Sequence, residues 1–523
     1  MRLKLHFWIG AFVMAPVLFF SRAGDSASVP SSLPLIPKAW DDAELRTLEV
    51  PLANPAFSPK HVPASFYYQV PERPIYKSYP VYAAGREPQG YWEDLQKQKP
   101  EVIWGRDENG VEHRPALGTK ADWIRAGELV FDAAISYSGG SETAISLANV
   151  RDPRYYAAVQ PPLTADGTFA FGSYVIRKAG KVELGRFSCG ACHTRVLAGG
   201  RVVKGAQGNF PFDRTVAYNV AALKNAPPEK QRAAAGGFAG LTHVFFGAPW
   251  LRPDPADAYS PVTAERVEQI LQAIPPGVID RQGGSALYPA QIPDLIGVQS
   301  RRYLDHTGLL RHRGPADIMR YASLNQDMNL WSRYGDWIPA AKDGQLPPPA
   351  TLSRYSDEQL YALALFLYSL EPPPNPNKVD DVARAGQQVF AKAGCGGCHP
   401  APLYTNNKLT LAKGFALPAD TQGDAVMPLS VGTDPRWAVE TRRGTGYYKV
   451  PSLQGVWYRG PLSHDGSVAT LEDWFDPARL RDDYIPTGFI GVDRKHRAVP
   501  GHEFGLHLGP EERRALIAFL RTL

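Results

Sequence analysis

Cysteine is nearly absent from this 523-residue chain, and its four copies fall in two Cys-x-x-Cys pairs, Cys189/Cys192 and Cys395/Cys398. None is left over for a disulfide framework outside those pairs. Charge of one sign is also lacking, since 57 Lys and Arg face 52 Asp and Glu for a formal net charge of +5. That small excess gives no argument for nucleic acid as a partner. The βαβ context that a thioredoxin-like redox pair needs is missing as well. Proline, by contrast, is plentiful at 48 residues, which favours long ordered loops over a helix bundle. The length allows two or three domains with sizeable cores.

Each cysteine pair is followed at once by a histidine, giving Cys189-Gly190-Ala191-Cys192-His193 and Cys395-Gly396-Gly397-Cys398-His399. Two thiols at i and i+3 can add across the two vinyl groups of a haem, and the next residue is then placed to ligate the iron. A four-cysteine zinc site uses CxxC pairs too, but nothing in zinc chemistry requires a histidine directly after each. Two covalently bound haem c groups, on Cys189/Cys192/His193 and Cys395/Cys398/His399, are therefore the expected cofactors. Glycines at both x positions of the second motif leave room for a porphyrin edge against the backbone. The four propionates of two haems bring the formal charge close to neutral.

The chain opens MRLKLHFWIGAFVMAPVLFFSRAGDSAS, with Arg2 and Lys4 before an apolar run and Ser21-Arg22-Ala23 after it. This reads as a signal peptide over 1–23, with no stable membrane span after cleavage and a bacterial periplasmic or secreted location. From 24 to 120 the sequence is rich in Pro, Tyr and Trp and poor in helical periodicity, so it reads as a wrapping segment without chemistry of its own.

An internal repeat begins at Ala121. Arg125–Phe131 and Arg384–Phe390 share RAGxxVF, and Glu358–Leu370 and Glu511–Leu523 share ExxxALxxFLxxL. Each pair brackets one CxxCH motif. Leu360, Leu363, Ala364, Leu367 and Leu370 make an apolar stripe at helical spacing, Ser356 with Gln359 makes a capping box, and Pro510 suits a first helical position. The expected fold is mainly α: two cytochrome c-like haem domains with long irregular loops. The first runs over 121–371, with an insertion at 132–188, and the second over 381–523. A stiff Pro-rich connector at 372–380 holds them at a fixed separation.

The second unit also carries Val450-Pro451-Ser452-Leu453, Arg459-Gly460-Pro461-Leu462-Ser463-His464-Asp465-Gly466 and Ala469-Thr470-Leu471-Glu472. These segments resemble the VPSLxxV…GPxxHDGxxxTLE signature of the bacterial dihaem cytochrome c peroxidase superfamily, which includes the methylamine-dehydrogenase maturation enzyme and the dihaem rubber oxygenases. The resemblance implies two unequal haems, with the reactive one on His193 and a six-coordinate electron partner on His399. It offers His502 as sixth ligand in the manner of the rubber oxygenases, and Tyr484 in the manner of the maturation enzyme. The peroxidases use a methionine after the HDG motif; the last methionine here, Met427, precedes it and is the third candidate for the sixth ligand. His496 and His507 are poorer candidates, in a charged loop and just before the last helix. The HDG histidine, His464, is expected to hydrogen-bond near the second haem, with Asp465 fixing its tautomer.

For acid–base work at the first haem the candidates are His243, His306 and His312. His312-Arg313-Gly314 sits roughly where His464-Asp465-Gly466 sits in the second unit. Met328 could serve as a ligand but reads first as core, and Trp250, Trp331 and Trp337 are available between the haems. The expectation is an exported dihaem oxidoreductase that reduces hydrogen peroxide, or activates dioxygen, with a small periplasmic protein as electron donor. A rubber-oxygenase-like dioxygenase acting on an apolar alkene and a non-catalytic electron carrier are the alternatives.

Overall fold

The computed structural model describes residues 35–140, 142–280, 286–421 and 423–523, so the signal-peptide segment 1–23 lies outside the described residues. Six helices position the site: α1 (Lys120–Asp132), α2 (Cys189–Cys192), α3 (Pro228–Phe246), α4 (Asp357–Ser369), α5 (Asp381–Lys392) and α6 (Pro510–Arg521). Seven strands matter to it: β1 (Ser78–Tyr82), β2 (Ser136–Ser138), β3 (Thr168–Lys178), β4 (Lys181–Arg186), β5 (Leu409–Leu411), β6 (Val426–Met427) and β7 (Tyr447–Lys449).

The repeated sequences form two helix pairs, α1 with α4 and α5 with α6. Their starts are fixed locally. Ser356 and Gln359 close a reciprocal capping box at the head of α4, and Pro510 opens α6. The shared glycine of RAGxxVF has a packing reason. A Cβ on Gly127 would lie 2.0 Å from the Ala362 carbonyl oxygen, and one on Gly386 would lie 1.9 Å from that of Ala515. Only a bare Cα lets each pair approach so closely. The shared phenylalanines meet across the same contact, Phe131 with Phe366 at 5.2 Å between ring centroids and Phe390 with Phe519 at 5.3 Å. The glycine, alanine and phenylalanines that the motifs share thus meet at one helix–helix contact.

The expectation of a mainly helical protein needs correction, because helices and strands are mixed. The insertion after α1 builds most of a four-stranded antiparallel sheet in the order β1-β3-β4-β2. β3, TFAFGSYVIRK, is rich in β-branched and aromatic residues and turns back through Ala179-Gly180, with Gly180 at φ +74°. Its inward side chains pack with Leu184 and Phe210, and Phe171 and Phe210 stack at 5.0 Å. The edge strand β1 comes from the N-terminal segment. That segment also sends Trp40 and Tyr67, stacked at 4.5 Å, into the core that contains α1 and α4. It wraps, as its composition suggests, and it is also part of the interior.

In the second half β5 pairs with β6 in parallel and with β7 antiparallel. The connector after α4 has no regular structure until α5, and Asn375 ties it to the Arg521 carbonyl at the end of α6 (2.8 Å). Among the described residues no helix is long and apolar enough to cross a membrane.

Candidate haem-attachment sites

The first motif is a single helical turn, α2, capped by Ser188, whose hydroxyl accepts the Ala191 amide at 3.0 Å. Gly190 lies against α1: a Cβ there would sit 2.9 Å from Asp132 Oδ1 and 3.3 Å from the Phe131 ring. The turn is thereby seated on the helix pair. His193 follows, and its Nδ1–H donates to the Pro293 carbonyl at 3.0 Å. A carbonyl only accepts, so Nδ1 carries the proton and Nε2 keeps its lone pair. Burial pulls the ring down to about 4, which keeps it neutral near pH 7.

The second motif repeats this wiring with different partners. His399 is buried, its Nδ1–H donates to the Tyr404 carbonyl at 3.0 Å, and burial again lowers its pKa. Gly394 turns the chain into the motif at φ +77°. A Cβ on Gly396 or Gly397 would meet no protein atom within 4 Å, so packing does not dictate glycine there as it does at Gly190.

The thiols of Cys189, Cys395 and Cys398 are free. Burial pushes Cys189 up to about 12 and raises Cys395 and Cys398, which opposes the thiolate that zinc or redox chemistry needs. Among the described residues no group of three or more His, Cys, Asp or Glu converges to hold a metal ion. What does converge, twice, is a thiol pair followed by a neutral imidazole whose Nδ1 is held by a backbone carbonyl. That donor set fits a covalently attached haem, with Cys189, Cys192 and His193 on one and Cys395, Cys398 and His399 on the other.

The two sites part company on the far side. The His502 ring faces His399 with centroids 6.4 Å apart. An imidazole nitrogen lies about 2.0–2.1 Å from a bound metal; its ring centre is about 1 Å further back, so two rings on one metal have centroids about 6 Å apart. His502 is held with some strain, at φ +51°, where a non-glycine residue is uncommon. Its amide donates to the Val431 carbonyl (2.6 Å), and the buried Arg479 donates to its carbonyl (2.9 Å) and to that of Val499 (2.6 Å). Trp474 and Phe504 flank the ring. Burial, with the neighbouring His399, lowers it to about 4.

Of the alternative ligands, Met427 is nearby: its sulfur accepts from Asn406, whose amide donates to the Cys398 carbonyl. Tyr484 interacts with Thr487, Asp473 and Arg479 instead, and His496 donates to the Asp482 carbonyl. Among the described residues no aromatic or imidazole ring stands opposite His193 as His502 stands opposite His399.

The acid–base candidates separate clearly. His312 is buried with both nitrogens engaged, Nδ1–H donating to the Arg301 carbonyl and Nε2 accepting from Tyr368, each at 2.6 Å. No nitrogen remains for proton transfer, so the catalytic reading of His312 gives way to a structural one. Nor does His312-Arg313-Gly314 copy the HDG turn: Gly314 is extended at φ 175°, whereas Gly466 is left-handed at φ +68°. His243, in the last turn of α3, donates Nδ1–H to Asp254 at 2.8 Å, and among the described residues its Nε2 makes no hydrogen bond. Of the three, it alone has the pairing a general base uses. His306 donates Nε2–H to the Gln291 carbonyl at 2.6 Å, and burial drops it to about 3.

His464 joins a ring cluster with Trp437 (5.9 Å) and Tyr448 (5.0 Å), and Trp437 also meets His306 (5.1 Å). Asp465 does not fix its tautomer. That carboxylate accepts instead from Arg497 (2.7 Å) and the Ser467 amide (3.1 Å), while the Nδ1 of His464 lies 3.4 Å from Ser463 Oγ. Trp250, Trp331, Trp337 and Met328 belong to the core around α1 and α4, Trp250 stacking on Phe57 at 3.9 Å. The backbone carbonyls of Pro293 and Tyr404 were invisible to motif reading, since no side chain announces them.

No family model matches the chain. Over 142 residues it is 30% identical to the methylamine utilization protein MauG of Methylorubrum extorquens, a stretch that is 27% of this chain and 34% of that protein. The chain thus spans about a third of the length of this relative. Among solved structures, hydrazine synthase of Kuenenia stuttgartiensis aligns with a TM-score of 0.27 at 16% identity, covering 59% of this chain and 92% of that one. A MauG-like protein associated with microbial copper homeostasis aligns with a TM-score of 0.21 at 19% identity, covering 32% and 56%. Both structural likenesses are too slight to bear on fold or function.

Proposed function

We propose that this chain is an exported dihaem c-type oxidoreductase of the MauG-like branch of the dihaem cytochrome c peroxidase superfamily. In this reading residues 121–371 carry one haem through His193, and residues 381–523 carry the other through His399. The observation that carries it is the inequality of the two sites. His502 faces His399 at 6.4 Å, and His193 has no such partner among the described residues.

When bound, haem c supplies at each site an iron that gains or loses one electron. The protein's share is positional. Pro293 and Tyr404 fix the tautomers of His193 and His399 through their carbonyls. Arg479 and Val431 hold His502 in its strained conformation, so the second site keeps two nitrogen donors and serves as electron partner. His243, oriented by Asp254, is assigned as the group that takes a proton from a small oxidant and returns it. Hydrogen peroxide is the proposed oxidant, with dioxygen as the alternative and a small periplasmic protein as electron donor.

The test is peroxide turnover by the purified holoprotein with a reduced electron donor. His243→Gln should slow it by about 10²-fold, with both haems retained by pyridine haemochrome assay. Full activity in His243→Gln would remove that residue from the mechanism, and no turnover in the unsubstituted protein would favour the electron carrier.

A further inference from the structure

Between the two histidine motifs lies a cavity of about 50 Å³. Pro293, which lines it, is the acceptor for His193. Thr405 and Pro451 line it too: the first follows the acceptor of His399, and the second has its backbone within reach of the His399 ring. The cavity therefore adjoins the proximal hydrogen bonds of both sites. A water needs about 10–15 Å³ of such volume, so there is room for one or two carboxylate groups.

Its lining is cationic. Arg301 reaches it from one segment and Lys449 and Arg459 from another far along the chain, with His306 beside them and Lys408 exposed at one side. Asp294 is the one carboxylate among the lining residues, and it is already engaged, accepting from the Ile296 amide (3.0 Å) and the Tyr458 hydroxyl (2.8 Å). Arg301 donates to the Asp294 and Ile296 carbonyls and Arg459 to the Ser452 carbonyl, so their heads are fixed by neutral groups. The Nε of Arg459 is buried without a hydrogen-bond acceptor, 4.0 Å from Asp294. Among the described residues the Lys449 ammonium has no hydrogen bond or ion pair. Burial, and then Arg301 and Arg459, push it down to about 7 although Asp305 pulls the other way. Three like charges around so small a space are costly unless an anion accompanies them.

We infer that this cavity receives haem carboxylates: Arg301, Lys449 and Arg459 take propionate groups of one or both haems and thereby raise the reduction potentials. The inference rests on the dihaem reading above, in which the propionates are the only anions that the cofactors bring. Charge-assisted bonds from two fixed guanidinium groups and an ammonium suit a carboxylate. A positive charge beside a haem favours the extra electron, so its removal lowers the potential.

The test is a spectroelectrochemical titration of the full-length holoprotein beside a pyridine haemochrome count. Lys449→Gln and Arg459→Gln should each keep two haems and lower at least one midpoint potential. Lys449→Arg, and Lys77→Gln at a remote exposed ion pair, should match the unsubstituted protein. The potentials should also ignore added acetate. Unmoved potentials in both glutamine variants, or a saturable response to acetate showing that the cavity takes a solvent anion, would overturn the inference while leaving two haems in place. Fewer than two haems in the unsubstituted protein would overturn the dihaem reading itself, and this inference with it.

Discussion

The two halves of this chain frame their histidine motifs in the same way and finish them differently. Gly127 meets Ala362 and Gly386 meets Ala515 through the same backbone approach, and both CxxCH histidines are locked by a backbone carbonyl. Beyond that the first half spends its extra length on a four-stranded sheet, whereas the second turns a strained loop back so that His502 faces His399. A duplicated frame can thus hold two motifs alike while the connecting segments set what surrounds each.

The comparison is broken most severely at the buried carboxylates. Arg497 partners the buried Asp465 beside His464. In the first half Arg313 is partly exposed and shares Asp317 with Arg320. Arg497→Met should cost about 3 kcal/mol by denaturant unfolding, and Arg313→Met about 1 kcal/mol or less. Burial pushes the Asp465 carboxyl up, but His464 and Arg497 outweigh it and hold it at about 2. Its unfolded value is about 3.9, so its contribution is complete above about pH 4 and is lost between about pH 4 and pH 2. Arg497→Met should flatten the stability profile in that window.

Next come the crossing glycines. Gly127→Ala and Gly386→Ala should each destabilise by about 1–3 kcal/mol, because a methyl group meets backbone that cannot step aside. Equal losses support a shared frame, and an unharmed Gly386→Ala would break it. The smallest effects lie at the helix caps. Ser356→Ala should cost about 1 kcal/mol, since it opens the capping box of α4. The matching position before α6 is Gly509, at φ −62°, which any residue can adopt. Gly509→Ser should therefore gain a few tenths of a kcal/mol, read as a small rise in Tm.

The frame was legible because its signals are local. CxxCH, RAGxxVF and ALxxFLxxL each place chemistry or packing within one helical turn or two, and Ser356 and Pro510 cap where the spacing predicts. The sheet was legible in principle, from the aromatic and β-branched run Thr168–Lys178 and its Ala179-Gly180 turn, but a helical expectation hid it. His502 was offered as a candidate only through family resemblance, because nothing local sets a loop histidine apart. The cavity could not be read at all. Arg301, Lys449 and Arg459 are brought together only by tertiary packing, and the carbonyls of Pro293 and Tyr404 carry no side-chain signature.

If both motifs carry haem c as proposed, the His399 haem has two protein nitrogens available and the His193 haem one. Electron spin resonance of the oxidised holoprotein separates the two. One low-spin and one high-spin ferric signal in equal amounts are expected, with the low-spin signal alone abolished in His502→Ala. Two low-spin signals in the unsubstituted protein, or a low-spin signal that survives in His502→Ala, would contradict that difference.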